Sequence, residues 1–296
     1  MCILYILWYN TKKQSEDNMG KIVSKLSKVS LNSNSLKIIA IITMIIDHIG
    51  YYFQPYMNNI VYITLRTIGR ISMPLFAYLL VQGFFYTKDL KKYIIRLFVF
   101  ALITQLAIFG VSIFDDDAQK LSVNTQLNIL FSYTLSIIVL WLLHEKKIIM
   151  KYDVNKNMFV KIFMILGIIG IYIFIPFDYE IYLPLLVVML YFIEKLKITI
   201  YMQRQNYNIN IKGMIASSIS EDKIKKGYIL LIFIAMLIII TRSMNPMYWY
   251  MLLSIIPIYL YNGERGKRNK KIKYMFYSVF PLQHFLIYLA SLLLIK

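Results

Sequence analysis

Two neighbouring side chains that can bind or transfer a proton, Asp47 and His48, lie near the end of an otherwise apolar run. The next apolar run along the chain contains Arg66 and Arg70. An ionised side chain at the centre of a membrane helix costs roughly 2.5–3.5 kcal/mol on insertion scales. We therefore expect these four groups to face one another rather than lipid, and such a polar cluster within a membrane indicates a functional site.

The two arginines are four residues apart, so they share one face of a helix. Pro74 follows Arg70 by another four residues, removes the hydrogen bond to its carbonyl and predicts a kink there. A kink beside two cations leaves a positive cavity that suits an anionic or carbonyl-bearing ligand. The alternative is structural: one arginine pairs with Asp47 and the other binds backbone carbonyls.

Asp47 and His48 are adjacent, so their side chains diverge by about 100° around a helix. Asp47 is therefore better placed to neutralise Arg66 or Arg70 than to orient His48. The predicted distance from the Asp47 carboxylate to one arginine is within about 4 Å. His48 remains as the group that can transfer a proton near neutral pH, with a purely structural role as the alternative.

A second histidine with a possible role in the site, His284, lies within the last apolar segment, three residues after Pro281. It is the second candidate for acid–base chemistry or donor binding, whereas His144 is expected to be interfacial. Two embedded histidines without a suitable Glu or third His predict no metal site. No nucleophile elbow, P-loop or dinucleotide motif is found, which disfavours a soluble-type hydrolase or a nucleotide-driven pump.

The composition indicates an all-α polytopic membrane protein that positions these residues on transmembrane helices. Of 296 residues, 59% are hydrophobic and 16% are charged, and the mean hydropathy is +0.59. Apolar segments near the roughly 20 residues that cross a bilayer recur along the chain. We predict about nine spans, at residues 36–54, 60–86, 94–114, 127–144, 159–177, 180–194, 228–242, 245–261 and 275–295.

The net charge of +18 is distributed unevenly between the connections of these spans. With a cytoplasmic N-terminus, 28 of the 33 Lys and Arg residues fall on the cytoplasmic side, as the positive-inside rule requires. The C-terminus is then extracytoplasmic, and the Asp/His/Arg cluster opens to the extracytoplasmic face. Basic loops of this kind contact membrane lipids, so no nucleic-acid partner is predicted.

The chain divides into a flexible, polar and basic N-terminal tail at residues 1–35 and a helical transmembrane domain at residues 36–296.

Several stretches resemble the TraX family, named for the protein that acetylates conjugative F-pilin. The early ones are residues 36–40 and 47–50, then 65–77, 82–84 and Thr87. The later ones are residues 261–266, Tyr-Asn-Gly-Glu-Arg-Gly, and residues 273–284, which resemble the family's closing aromatic-Pro-x-His segment. Asn128 and the Asp178–Tyr179 pair are weaker matches. Two residues, not one, separate Pro281 from His284, which turns His284 by about 100° around the helix.

The resemblance implies an acyltransferase of the bacterial cytoplasmic membrane that moves an acetyl group from acetyl-CoA. The acceptor would be the N-terminal amine of a membrane-inserted, pilin-like peptide or a hydroxyl of a surface glycan. On this interpretation His48 is the general base, Arg66 and Arg70 hold the thioester or stabilise the oxyanion, and Asp47 positions an arginine. His284 assists them, and the CoA phosphates bind near Lys91, Lys92 and Arg96.

Two other classes of protein remain compatible with the residues. A transporter or exporter could use the Asp/His/Arg cluster to relay protons or bind an anion. A noncatalytic membrane chaperone could recognise inserted peptides. No internal repeat is visible, and the motifs occur in the family's order, so the enzyme is the favoured interpretation.

Overall fold

The computed structural model describes residues 30–113, 126–145, 154–205, 221–243, 246–266 and 270–295. Within these ranges the protein is helical, and its only extended pairings are two isolated bridges, Leu31 with Tyr261 and Leu127 with Phe177. The α-helices are α1 (Ser33–Tyr52), α2 (Asn59–Gly69), α3 (Ser72–Tyr86), α4 (Leu90–Ile113), α5 (Ile129–His144), α6 (Val154–Phe174), α7 (Tyr182–Gln205), α8 (Glu221–Ser243), α9 (Ile255–Tyr259) and α10 (Lys270–Ile295). The all-α prediction is therefore confirmed for the described residues.

Helix α1 begins at Ser33 because Asn32 caps it. The Asn32 side chain accepts hydrogen bonds from the backbone N–H groups of Asn34 and Ser35, both at 3.0 Å. The helix thus starts within the segment assigned to the N-terminal tail. Residues 1–29 of that tail lie outside the described residues, and its flexibility stays a prediction.

The second predicted span is interrupted at Arg70 and Ile71, which separate α2 from α3. The predicted kink is confirmed: Pro74 cannot donate to the carbonyl of Arg70, so the helix restarts at Ser72, two residues before the proline. The hydroxyl of Ser72 donates to the carbonyl of Gly69 at 2.8 Å and satisfies one freed acceptor. The break places both arginines at the end of α2.

Helix α3 is the central helix of the bundle. Most of its side chains are buried, and it packs against α1, α5, α7 and the helical segment after α8. Large residues at its centre, such as Met73, Leu75 and Tyr78, are almost fully buried. The first and last long helices also pack together, since α10 contacts both α1 and α4.

The eighth predicted span, residues 245–261, is not a regular α-helix. It consists of a 3₁₀ helix, Pro246–Ser254, followed by the short α9. Pro257 lies in the first turn of α9, where a proline is tolerated, so it fits a new helix that starts at Ile255. A 3₁₀ helix rises about 2.0 Å per residue, so the whole segment still extends about 25 Å.

Five described helical segments are long and apolar enough to cross a membrane: Ser33–Tyr52, Asn59–Tyr86, Leu90–Val111, Asn157–Phe174 and Glu221–Ser243. Helix α5 is apolar but shorter. The surface of α6 carries Phe163 and Phe174, which are 79% and 86% exposed. Large aromatic side chains in water would be unfavourable, so these exposed apolar helices indicate a membrane protein.

Several predicted loops lie outside the described residues. They include the acidic residues 115–117, the basic residues 146–151, residues 206–220 of the long basic connection between α7 and α8, and residues 267–269.

Candidate functional site

Asp47 and Arg66 form an ion pair where the end of α1 crosses the end of α2. The Asp47 Oδ2 atom lies 2.6 Å from Arg66 Nη1, and both side chains are about 15% exposed. The predicted pairing of Asp47 with an arginine is confirmed. An ion pair shielded from water keeps more of its Coulomb energy than a surface pair, so it fixes the two helices relative to each other.

Two glycines let the helices approach this closely. A Cβ atom on Gly69 would lie 2.2 Å from both Cβ and Oδ1 of Asp47. A Cβ atom on Gly50 would lie 2.9 Å from Cβ of Leu65. Real side chains do not pack at such distances, so the ion pair depends on the missing side chain at Gly69.

Arg70 is held by tyrosines rather than by backbone carbonyls. Its Nη1 atom donates to the hydroxyl of Tyr179 at 2.9 Å. The rings of Tyr179 and Tyr248 lie 5.6 and 5.7 Å from the guanidinium carbon. Two aromatic faces near one cation stabilise it by cation–π interaction, which leaves Arg70 charged within a mostly apolar site.

The connection between α6 and α7 supplies Tyr179 through an unusual backbone conformation. Tyr179 and the next residue, Glu180, have φ angles of 61° and 46°. L-residues adopt this left-handed region at a cost, and such strain concentrates at functional sites. Phe177 anchors the connection through its bridge to Leu127.

Asp178 adds a second carboxyl group beside the arginines. Burial raises its pKa to about 6, although the nearby Arg70 guanidinium lowers it. The charge of Asp47 also raises this pKa. Asp178 thus changes its protonation state close to neutral pH and alters the net charge of the site when it does.

The two embedded histidines lie against each other although they come from α1 and α10. Their ring centroids are 4.6 Å apart and the rings are nearly perpendicular, at 86°. Nδ1 of His48 lies 2.8 Å from the carbonyl oxygen of Met44. A carbonyl can only accept, so Nδ1 carries the proton, and Nε2 of the neutral ring holds the lone pair that a base needs.

His284 is oriented by a tyrosine on α1. The hydroxyl of Tyr52 lies 3.0 Å from Nδ1 of His284, and both side chains are buried. The additional residue in the Pro281–His284 segment therefore does not carry His284 away from His48. The two histidines, Tyr52 and the Asp47–Arg66 pair are grouped at one end of α1.

Several polar atoms of the group have no hydrogen-bond partner among the described residues. They are Oδ1 of Asp47 and the Nε atoms of Arg66 and Arg70, all inaccessible to solvent. Buried polar atoms normally bind something, because an unmade hydrogen bond costs about 1–3 kcal/mol. A site with one base and two cations can bind a carbonyl oxygen and remove a proton.

The predicted phosphate contacts lie at the opposite end of α1, beside a pocket of about 540 Å³. Arg96 lines this pocket, whereas Lys91 and Lys92 do not. Lys92 instead pairs with Asp89 on the surface at 3.0 Å. Of the three predicted residues, Arg96 is therefore the one that the structure places at this pocket.

Three tyrosines of the site were missed or given little weight by the sequence reasoning. Tyr52 follows His48 by four residues, so helical periodicity could have placed it on the same face. Tyr179 was only a weak family match, and nothing in the sequence pointed to Tyr248, which reaches Arg70 from the irregular 3₁₀ segment.

His144, the remaining histidine, lies away from this site in the other half of the bundle. Its Nδ1 atom is 3.1 Å from the hydroxyl of Tyr191.

Comparison with known proteins agrees with the resemblance. The chain is 34% identical over 114 residues to the probable fimbrial assembly protein FimC, serogroup H1, of Dichelobacter nodosus. That match covers 38% of this chain and 46% of the relative, so the chain matches about half of the relative's length. No solved structure matches the chain. The TraX protein family matches residues 32–290, and the chain therefore belongs to the TraX family.

Proposed function

We propose that the protein is an integral-membrane acyltransferase that transfers an acetyl group from acetyl-CoA to an amine or hydroxyl acceptor. The observation that carries the proposal is the hydrogen bond from His48 Nδ1 to the Met44 carbonyl. It leaves Nε2 as a base within a group that also contains two arginines. General-base catalysis typically contributes about 10²–10⁴-fold to a rate.

In the direct-transfer reaction, the acceptor nitrogen or oxygen attacks the carbonyl carbon of the thioester. His48 Nε2 takes the proton that the acceptor loses, and a guanidinium stabilises the oxyanion of the tetrahedral intermediate. The C–S bond then breaks as the carbonyl re-forms. The CoA thiolate leaves and takes up the proton that His48 accepted, directly or through the adjacent ring of His284, which restores the neutral base. An acyl-enzyme route would use the same groups.

Arg70 is the better candidate of the two arginines for the oxyanion. Arg66 forms a direct ion pair with Asp47, whereas Arg70 donates to a tyrosine hydroxyl and makes no ion pair within 4 Å among the described residues. The nearby Asp178 carboxyl acts on Arg70 only from a greater distance, so more of the field of Arg70 is available for a developing negative charge. Asp47 and Arg66 then act together to position the end of α2.

The acceptor side is proposed from chemistry and from the relative's description. The name of the Dichelobacter nodosus protein refers to fimbrial assembly, which supports a pilin-like peptide amine as the acceptor. A surface glycan hydroxyl is the alternative, because the same base can deprotonate either group.

The proposed orientation places this reaction at the extracytoplasmic face of the bacterial cytoplasmic membrane. Nine spans with a cytoplasmic N-terminus put most Lys and Arg residues on the inner side. Single cysteines at Asp89 and Glu180, which lie in connections at opposite ends of the bundle, should react with an impermeant maleimide from opposite faces. Labelling of both from the same face would contradict this orientation.

The direct test is an acetylation assay with the protein in lipid nanodiscs, acetyl-CoA and a peptide that has a free N-terminal amine. His48→Ala should lose most of the transfer, by about 10²-fold or more, and keep its binding of acetyl-CoA. His144→Ala is the matched control, since His144 lies away from the site, and it should transfer at the wild-type rate. Transfer by His48→Ala at the wild-type rate would make His48 structural. A wild-type protein that neither binds nor uses acetyl-CoA would favour the transporter.

A further inference from the structure

The 540 Å³ pocket is lined by cations from four parts of the chain, which together form its mouth. Lys37 comes from α1, Lys88 from the connection between α3 and α4, Arg96 from α4 and Arg265 from the connection before α10. The carboxylate at the same mouth, Asp89, pairs with Lys92 at 3.0 Å. These cations repel one another, so the mouth attracts an anion, and phosphate groups are bound in this way by clustered Arg and Lys.

Two glycines shape the loop that brings Arg265 to the mouth. Gly263 and Gly266 have φ angles of 82° and 76°, a conformation that other residues rarely adopt. The loop is fastened to the beginning of α1 by a hydrogen bond from Ser33 N–H to the Glu264 carbonyl at 2.8 Å. The glycines of the family motif thus serve the pocket rather than the histidines.

Behind the mouth, the pocket wall is aromatic and apolar except for one amide. Gln82 is only 4% exposed, and its Nε2 atom has no hydrogen-bond partner. A buried N–H donor needs an acceptor, and the pocket that Gln82 lines is the space from which one can come. A fatty-acid chain offers no acceptor, whereas a chain with amide carbonyl groups does.

The far end of the pocket reaches the candidate site. Leu130 and Tyr133 line it, and between them the Ser132 hydroxyl donates to the carbonyl of Asp178 at 3.5 Å. Phe280 also lines the pocket and lies one helical turn before His284, about 6 Å along the axis. The pocket therefore extends from the cationic mouth to Phe280, one helical turn from His284, and to the α5 residues on either side of Ser132.

We infer that this pocket is the donor site of the transferase, an inference that rests on the proposed function. The phosphates of the CoA thioester bind Lys37, Arg96 and Arg265, and the pantetheine arm passes Gln82, whose amide donates to a carbonyl of the arm. The acyl end points past Phe280 toward the histidines. The donor and the acceptor thus approach the site from opposite ends of the bundle.

The first test measures binding of CoA and of pantetheine, which lacks the nucleotide phosphates, to the purified protein by calorimetry. Arg96→Met should weaken CoA binding about tenfold and leave pantetheine binding unchanged, because it removes only a phosphate contact. Gln82→Leu should weaken both ligands by a similar factor. Lys92→Met, on the same helix but outside the pocket, should bind both as the wild type does. CoA binding by Arg96→Met and Gln82→Leu at wild-type affinity would overturn the inference.

A second test does not depend on variants of the wall. In a Cys2→Ser background, a cysteine at Lys88, which lines the mouth, is labelled with maleimide. CoA should slow this labelling several-fold and leave a cysteine at Lys92 unaffected. Equal labelling with and without CoA would overturn the inference. The same cysteine is also labelled in nanodiscs of phosphatidylglycerol and of phosphatidylcholine. If phosphatidylglycerol slows the labelling and CoA does not, the mouth binds a lipid phosphate and the inference is overturned.

Different results would contradict the donor site and the acetyl-transfer activity. Acetyl transfer by the wild type with no effect of Arg96→Met or Gln82→Leu on CoA binding contradicts the pocket and leaves the enzyme in place. If these variants weaken CoA binding but the wild-type protein transfers no acetyl group, the donor site is supported and the proposed function is contradicted.

Discussion

Gly69 lies so close to Asp47 that a methyl group at position 69 would overlap the carboxylate, at 2.2 Å from Oδ1. Gly69→Ala should therefore push Asp47 away from Arg66 and break the 2.6 Å ion pair. We expect a cost of several kcal/mol, since separating a shielded pair leaves both charges uncompensated. Thermal unfolding of the purified protein in detergent would measure this loss.

Gly167→Ala is the matched control. Gly167 also lies within a helix, but a Cβ atom there meets nothing within 4 Å. Alanine is the better helix former, so this variant should unfold at the wild-type temperature or slightly above it. Equal unfolding temperatures for Gly69→Ala and Gly167→Ala would mean that α1 and α2 can separate without loss.

Asp47→Asn should destabilise the protein more than the removal of a surface charge does. It leaves Arg66 charged in a site shielded from water, and breaking a buried pair typically costs about 3–5 kcal/mol. Asp222→Asn breaks the Asp222–Lys226 pair, whose side chains are more than half exposed, and should have little effect. A smaller loss for Asp47→Asn than for Asp222→Asn would contradict the structural role of the ion pair. Unfolding in detergent provides the comparison.

Tyr52→Phe removes the hydroxyl that contacts Nδ1 of His284 and changes little else in shape. One neutral hydrogen bond contributes about 0.5–1.5 kcal/mol, so acetyl transfer should fall about threefold to tenfold. The pH profile of the rate should move as well, because Nδ1 of His284 loses its hydrogen-bond partner. Tyr56→Phe is the control, since Tyr56 is 58% exposed. An unchanged rate and profile for Tyr52→Phe would exclude His284 from the reaction.

Asp178 predicts a pH dependence of stability. Its pKa is raised by burial to about 6 in the folded protein, compared with about 3.8 when unperturbed. The folded state therefore holds this proton more tightly, and the associated stability is complete below about pH 4 and is lost as the pH rises through 6.

Unfolding temperatures between pH 4 and pH 7.5 would test this dependence. Asp178→Asn should show a smaller decrease than the wild type over that interval. Glu180→Gln, an exposed neighbour, should follow the wild type. Identical slopes for Asp178→Asn and the wild type would contradict the raised pKa.

The polar cluster was predictable because the energetic cost of burying charge depends on residue type and position alone. Charged side chains such as Asp47, Arg66 and Arg70 need polar or oppositely charged partners when they are buried. The position of Pro74, four residues after Arg70, predicted the break that separates α2 from α3. The sequence also disfavoured Asp47 as the partner of His48, since adjacent side chains on a helix diverge. These inferences needed only local geometry.

The partners of Arg70 and His284 were not predictable in the same way. Tyr248 reaches Arg70 because residues 246–254 form a 3₁₀ helix, and Tyr179 reaches it through two residues with positive φ. Neither irregularity leaves a periodic pattern in the sequence. Lys91 and Lys92 were chosen for charge alone, and only the packing of α4 distinguishes them from Arg96.

The pairing of Tyr52 with His284 joins residues that are 232 positions apart in the chain. The ribosome synthesises α1 long before α10, so His48 is made well before His284, the residue whose ring it contacts. Any catalysis that needs both histidines begins only after α10 has inserted and packed against α1. A chain that ends before α10 lacks His284, so the pairing of the two histidines depends on the last helix to be made.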